Sequence, residues 1–130
     1  MKASFVIPAR NEENYISETI QSILRQPREL VEEIIVVDNN SADRTTQIAQ
    51  KFPSVIVIFE PIVGTNRARQ TGFEKTKSEI VAFLDADVIL PDHWLKRALE
   101  IFDKRKKVVA IAGPYWYKEG PILLQIGTVI

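Results

Sequence analysis

Short, nearly unbroken runs of isoleucine and valine recur along this 130-residue chain, and segments of helical period fill the gaps between them. No other feature constrains the fold as much. Residues 3–7, 33–37, 55–59, 80–84 and 108–112 read as five strands, the first stopped by Pro8. Between them apolar side chains return at steps of three and four, the spacing of a helix with one buried face. Tyr15, Ile16, Thr19, Ile20, Ile23 and Leu24 mark the first helix, which Pro27 ends. Ser41 or Asp43 can cap a second, with Ile48, Ala49 and Phe52 inward. Residues 67–76 form a third, weakened by Gly72, and Pro91 opens a fourth with Trp94, Leu95, Ala98, Leu99 and Phe102 as its stripe.

Five strands separated by four helices give an α/β domain spanning residues 1–130: a mostly parallel open sheet with helices on both faces, Rossmann-like. The strands are apolar throughout rather than alternating, as burial on both faces requires. Right-handed crossovers then bring every strand C-terminus to one edge, where open α/β sheets bind ligands. The residues just after each strand therefore matter most.

Arg10, Asn11, Glu12 and Glu13 come after the first strand, Asp38, Asn39, Asn40 and Ser41 after the second, and Asp85, Ala86 and Asp87 after the fourth. The first two groups serve equally well as helix caps or as ligand contacts. The third is more demanding. In extended chain Asp85 and Asp87 point to one side, and two facing carboxylates at the edge of an apolar strand repel unless a proton or a cation intervenes. A divalent cation that also grips a diphosphate relieves the conflict, because Mg²⁺ and similar ions are held by one or two carboxylates plus substrate phosphates. The alternative is a turn with two solvated aspartates. His93 could join a metal site but falls at an exposed helix start, and Trp94 fits the core. Tyr115, Trp116 and Tyr117 could pack or could form a platform for a sugar ring.

Several classes are excluded. With 17 basic and 17 acidic side chains the net charge is zero, against the basic field that nucleic-acid binding needs. The basic run 104–107 reads as a helix end complementing its own dipole. The absence of cysteine removes disulfides, thiolate zinc sites and thiol catalysis. No glycine-rich dinucleotide fingerprint comes after the first strand, and no P-loop occurs. No apolar stretch reaches the roughly 18 residues of a membrane span, and Met1 and Lys2 lead straight into a strand, so the expectation is a cytoplasmic protein, with peripheral membrane contact as a variant.

Residues 6–12, 36–43, 64–72 and 83–87 together resemble, in order and spacing, the motifs of family 2 (inverting, GT-A fold) glycosyltransferases, and the resemblance runs from residue 3 to about residue 117. It implies a nucleotide-diphospho-sugar donor, UDP- or GDP-linked, and transfer with inversion to an acceptor such as a glycan or a lipid-linked sugar. It further implies that Pro8, Ala9 and Glu12 border the base and ribose, that Arg10 belongs to the same nucleotide-sugar site, that Asp38 accepts a hydrogen bond from the base, and that Arg69 lies near base or phosphates. Asp85, Ala86 and Asp87 would meet ribose, diphosphate and Mn²⁺ or Mg²⁺, with Asp85 and Asp87 as metal ligands. The chain departs from the family at Asn39, where a second aspartate is usual, and at Gln70, where asparagine is usual.

In that family the acceptor region and the catalytic base lie beyond the D-x-D motif, and little chain remains after Asp87 here. The expectation is a donor-binding part whose catalytic residue is unassigned, or a non-catalytic nucleotide-sugar-binding module or subunit. Residues 82–88 also match the strand and D-x-D-x-[TV] of haloacid-dehalogenase-like phosphatases, although that motif normally opens its domain. The apolar tail 122–130 is expected to fold back on the sheet or to cover a neighbouring subunit, giving a homo-oligomer.

Overall fold

The computed structural model describes residues 1–112. Its elements run β1 (Ala3–Ala9), α1 (Ile16–Leu24), β2 (Val31–Asp38), α2 (Thr45–Gln50), β3 (Val55–Phe59), α3 (Thr65–Phe73), β4 (Ile80–Phe83) and α4 (Trp94–Lys104), with a 3₁₀ turn at Arg28–Leu30 before β2. The four strands are parallel, in the order β3-β2-β1-β4.

Every residue of β1 is buried, as a central strand covered on both faces must be. Phe5, Ile7, Ile34 and Val36 face Ile16, Ile20 and Ile23 of α1, Ala49 of α2, and Leu95 and Leu99 of α4. Val6, Ile35 and Val37 face the other way, against Ala68 of α3. Each fully buried Ile or Phe stabilises the fold by about 1.5–3 kcal/mol relative to exposure. Gly72 belongs to this second layer. A Cβ there would stand 2.4 Å from Val6 Cγ1 and 2.9 Å from Val37 Cγ2, so glycine is what lets α3 lie so close to the sheet.

Several boundaries differ from the sequence expectation. β1 continues through Pro8 to Ala9. The Val6 carbonyl accepts from Leu84 N on the β4 side, while the Ala9 carbonyl accepts from Asn39 N on the β2 side. Alternation puts the Pro8 nitrogen on the β4 side, beyond the last β1–β4 pair, Val6–Phe83, where no ladder donor is needed. β2 begins at Val31, earlier than the apolar run alone suggests. α3 spans Thr65–Phe73 rather than 67–76. α4 begins at Trp94, after a turn closed by Trp94 N on the Pro91 carbonyl, so Pro91 precedes the helix instead of opening it.

The expected fifth strand at 108–112 is not formed. An apolar run becomes a strand only by pairing, and this one pairs with nothing described: Val108 N closes a turn on the Arg105 carbonyl, and Val109 is 91% exposed. Among the described residues, no helix is long and apolar enough to cross a membrane. Tyr115, Trp116, Tyr117 and the tail 122–130 lie outside the described residues.

Candidate functional site

Strands β2 and β3 lie on one side of β1 and β4 on the other, so the chain reverses its direction of travel across the sheet at β1. The C-terminal edge of the sheet beside this reversal is where open α/β sheets hold ligands. A crevice of about 330 Å³ occupies it, lined by Pro8, Ala9, Arg10, Glu12, Asn39, Thr65, Arg69, Asp85, Ala86 and Asp87. Every residue expected at the site lines this crevice except Asp38. A second hollow of about 210 Å³ runs along the outer edge of β4, between Phe83, Trp94, Leu99 and Ile111. Its walls are mainly apolar, whereas the crevice carries Arg10, Glu12, Arg69, Asp85 and Asp87.

The loops after β1 and β2 latch to each other. Asn11 N donates to Ser41 Oγ at 3.0 Å, and Ala42 N to Asn11 Oδ1 at 2.8 Å. Glu13 N donates to Asp43 Oδ2, while Arg44 N donates to Glu13 Oε2, both at 3.1 Å. Asn11 and Asn40 sit at φ 54° and 61°, a conformation asparagine tolerates better than most residues. The choice between capping and binding is thereby divided by residue. Asp43 Oδ1 takes the N–H of Thr45, the first residue of α2, at 2.9 Å from one position before the N-cap, which is Arg44 and has no capping side-chain bond; Ser41 instead serves the neighbouring loop. Burial pushes the Asp43 carboxyl up, but hydrogen bonds from the Thr45 hydroxyl, Thr45 N and Glu13 N outweigh it and hold Asp43 below its ordinary value.

Glu12 is the member of this group left to the crevice. Its backbone is fixed by Thr45 Oγ1, which accepts from Glu12 N at 2.9 Å. Burial raises its pKa, and the negative charges of Asp87, Asp43 and Asp85 raise it further. Carboxylates from the β1 and β4 loops thus feel one another across the crevice.

The Asp85–Asp87 geometry differs from the expected extended pair. β4 ends at Phe83, and Val88 N closes a turn on the Asp85 carbonyl at 3.2 Å. A turn breaks the two-residue alternation, so the strand argument does not apply to these side chains. A cation is nonetheless present: Arg69 Nη2 meets Asp85 Oδ1 at 2.8 Å. Arg69 Nε is buried with no hydrogen-bond partner among the described residues. Among those residues, no three His, Cys, Asp or Glu side chains form a metal-holding group by themselves.

Asp38 pairs with Ala9 at the end of β2 but is only 5% exposed, and its Oδ1 accepts from Ser41 N at 3.3 Å. Asn39 lines the crevice in its place. Its Nδ2 donates to the carbonyls of Glu60 (3.0 Å) and Ile62 (2.8 Å), and its Oδ1 accepts from Gly64 N at 2.8 Å. An aspartate could not donate to those two carbonyls, so the departure from the expected pattern has a structural use. It secures the loop before α3, where Gly64 takes φ 152°. Glu60 completes this loop by accepting from Thr71, from Ile62 N and from Arg67; these bonds hold its carboxyl below the ordinary value. Thr65 also lines the crevice; a lone threonine at a helix start carries no chemical signature in the sequence. His93 is exposed at the start of α4, outside the crevice, and Trp94 packs with Phe5 at a ring-centroid distance of 6.5 Å.

The family model described as glycosyl transferase family 2 matches residues 4–126. An uncharacterised glycosyltransferase of Nostoc sp. is 39% identical over 106 residues, covering 78% of this chain and 33% of the relative. The glycosyltransferase AglE of Haloferax volcanii is 35% identical, covering 74% and 34%. The crystal structure of S. aureus TarS 1–349 in complex with UDP-GlcNAc superposes with a TM-score of 0.72 at 30% identity, covering 82% of this chain and 32% of that one. This chain spans about a third of the length of the Nostoc and Haloferax relatives.

Proposed function

The chain belongs to glycosyl transferase family 2, and from that premise we propose that its crevice binds a nucleotide-diphospho-sugar, UDP-linked by preference, together with Mn²⁺ or Mg²⁺. Its reaction is transfer of the sugar with inversion to an acceptor such as a glycan or a lipid-linked sugar. The observation that carries the reading is the convergence of Glu12, Arg69, Asp85 and Asp87 on one crevice at the sheet's switch point. The UDP-GlcNAc complex of the structural relative supports a UDP-sugar as the first donor to test. Membership of the family displaces the phosphatase alternative.

The residues present fit a hard dication. They are carboxylate oxygens, close enough for Asp85 and Asp87 to raise the pKa of Glu12. Because no described trio holds an ion unaided, a set completed by diphosphate oxygens is the arrangement such ions adopt. Asp85 and Asp87 would hold the ion, and once bound it would neutralise charge building on the departing diphosphate.

The chain's own side chains then have distinct tasks. Pro8 and Ala9 would lie beside the base, and Asp38, at the end of β2, would accept from a base N–H. Arg69 already neutralises Asp85; a diphosphate oxygen would accept the Nε–H hydrogen bond that no described protein group accepts. Glu12 would border the ribose, where its carboxylate oxygens can accept from a hydroxyl. Isothermal titration of UDP in Mn²⁺ and again in EDTA tests the reading, with tighter binding expected in Mn²⁺. Equal affinity in both would remove the metal role, and no binding in either would remove the donor site. Donor binding without transfer by the complete protein would favour the non-catalytic module.

A further inference from the structure

Helix α1 carries three buried polar side chains on its packed face: Thr19 and Ser22 at 0% exposure and Gln26, just past its end, at 3%. Their spacing places them in one row along the helix. Such residues are costly inside a core unless each is hydrogen-bonded, and each is. Gln26 Oε1 accepts from Leu95 N at 3.0 Å, and its Nε2 donates to the Pro91 carbonyl at 3.0 Å and the Ser22 carbonyl at 3.2 Å. Ser22 Oγ accepts from Leu90 N at 3.0 Å and donates to the Thr19 carbonyl at 2.7 Å. Thr19 Oγ1 donates to the Ala86 carbonyl at 2.8 Å. The row therefore tracks the segment that runs from the carboxylate turn to the start of α4, and grips its backbone at each step.

The last of these bonds has the greatest reach into the site. The Ala86 carbonyl belongs to the peptide that joins Ala86 to Asp87, so its direction governs how Asp87 stands relative to Asp85. The turn's own bond, Val88 N to the Asp85 carbonyl, is long at 3.2 Å. Ala86 is 3% exposed, so water is a poor substitute for the threonine hydroxyl.

We propose that Thr19 is a positioning residue for the Asp85–Asp87 carboxylate pair, holding the peptide between them through its bond to the Ala86 carbonyl. The inference rests on the reading that this pair binds a cation and a diphosphate. Thr19→Val preserves the side-chain shape and leaves the Ala86 carbonyl buried without a partner.

The test titrates UDP into the wild-type chain, Thr19→Val, Thr19→Ala, Thr19→Ser and Gln26→Leu, each in Mn²⁺ and in EDTA, with a thermal melt of every variant. Thr19→Val should lose about tenfold of the Mn²⁺-dependent affinity, the size of one hydrogen bond, and keep the affinity measured in EDTA. Thr19→Ser should match the wild type in both. Gln26→Leu, which severs the far end of the row, should lower the melting temperature yet keep the Mn²⁺-dependent affinity. Should Thr19→Val not fold, Thr19→Ala is expected to show the same selective loss. A wild-type chain without any Mn²⁺ enhancement would overturn the site reading and this inference together. An enhancement kept intact by Thr19→Val or Thr19→Ala, lost equally by Thr19→Ser, or lost equally by Gln26→Leu, would overturn the positioning role alone.

Discussion

Replacing Gly72 by alanine sets two effects of opposite sign against each other. Inside a helix alanine is favoured over glycine by about 1 kcal/mol. Against that, the new Cβ would lie 2.4 Å from Val6 Cγ1 and 2.9 Å from Val37 Cγ2, well inside van der Waals contact. Val6 and Val37 are both 0% exposed and sit on the central strands, so neither can swing into solvent. Overpacking of this kind costs about 1–3 kcal/mol, occasionally more, and a near-overlap with two buried methyl groups belongs at the upper end. The clash should win, leaving Gly72→Ala about 1–2 kcal/mol less stable than the wild type, with a melting temperature lower by roughly 4–8 °C. Equilibrium urea unfolding measures the difference directly. The double mutant isolates its cause: with Val6→Ala the closest methyl is gone, and the penalty of Gly72→Ala should shrink by about 1 kcal/mol, a departure from additivity expected of touching residues. A Gly72→Ala variant more stable than the wild type, or strict additivity with Val6→Ala, would refute the close seating of α3.

Asp87→Asn removes a charge from the proposed ion site and should weaken UDP binding in Mn²⁺ more than any other single change in the crevice, with little effect in EDTA; calorimetry reads both. Asp38→Ala should weaken UDP binding even in EDTA, because its proposed partner is the base; a loss confined to Mn²⁺ would assign Asp38 to the ion site instead. Glu12 has a folded-state pKa above its ordinary value, so the fold favours its protonated form and carries a penalty that grows as pH rises through that value. Glu12→Gln should therefore stabilise the chain at neutral pH, the gain vanishing in urea titrations below the ordinary carboxylate range. Asp43 and Glu60 have the opposite sign: the stability they add is present at neutral pH and is lost as pH falls through their lowered values, so Asp43→Asn should cost stability at pH 7 and nothing in strong acid.

The sheet is legible in the sequence because burial on both faces leaves long Ile/Val runs, and β1 through β4 carry that mark. The same mark misleads at 108–112, since apolarity signals a strand but pairing makes one, and pairing is not local. Proline misleads differently: Pro8 reads as a stop, yet it sits on the side of β1 where β4 has already ended. At the site, residues just beyond the strands, Asn39 among them, are found by position, whereas Thr65 can be found only by knowing that α3 comes round to the same crevice. At Asp85 and Asp87 the premise fails while the demand it raised survives. The extended geometry that would have made the two carboxylates face each other is absent, but Glu12 supplies the crowding from the other loop. Arg69, arriving from α3, supplies a cation to one member of the group. The crevice thus has one guanidinium paired to Asp85 while Asp87 stands exposed. A dication joined by a diphosphate would neutralise the remaining charge, so donor and ion should bind with positive coupling: each raises the other's affinity by the same factor, as linkage requires.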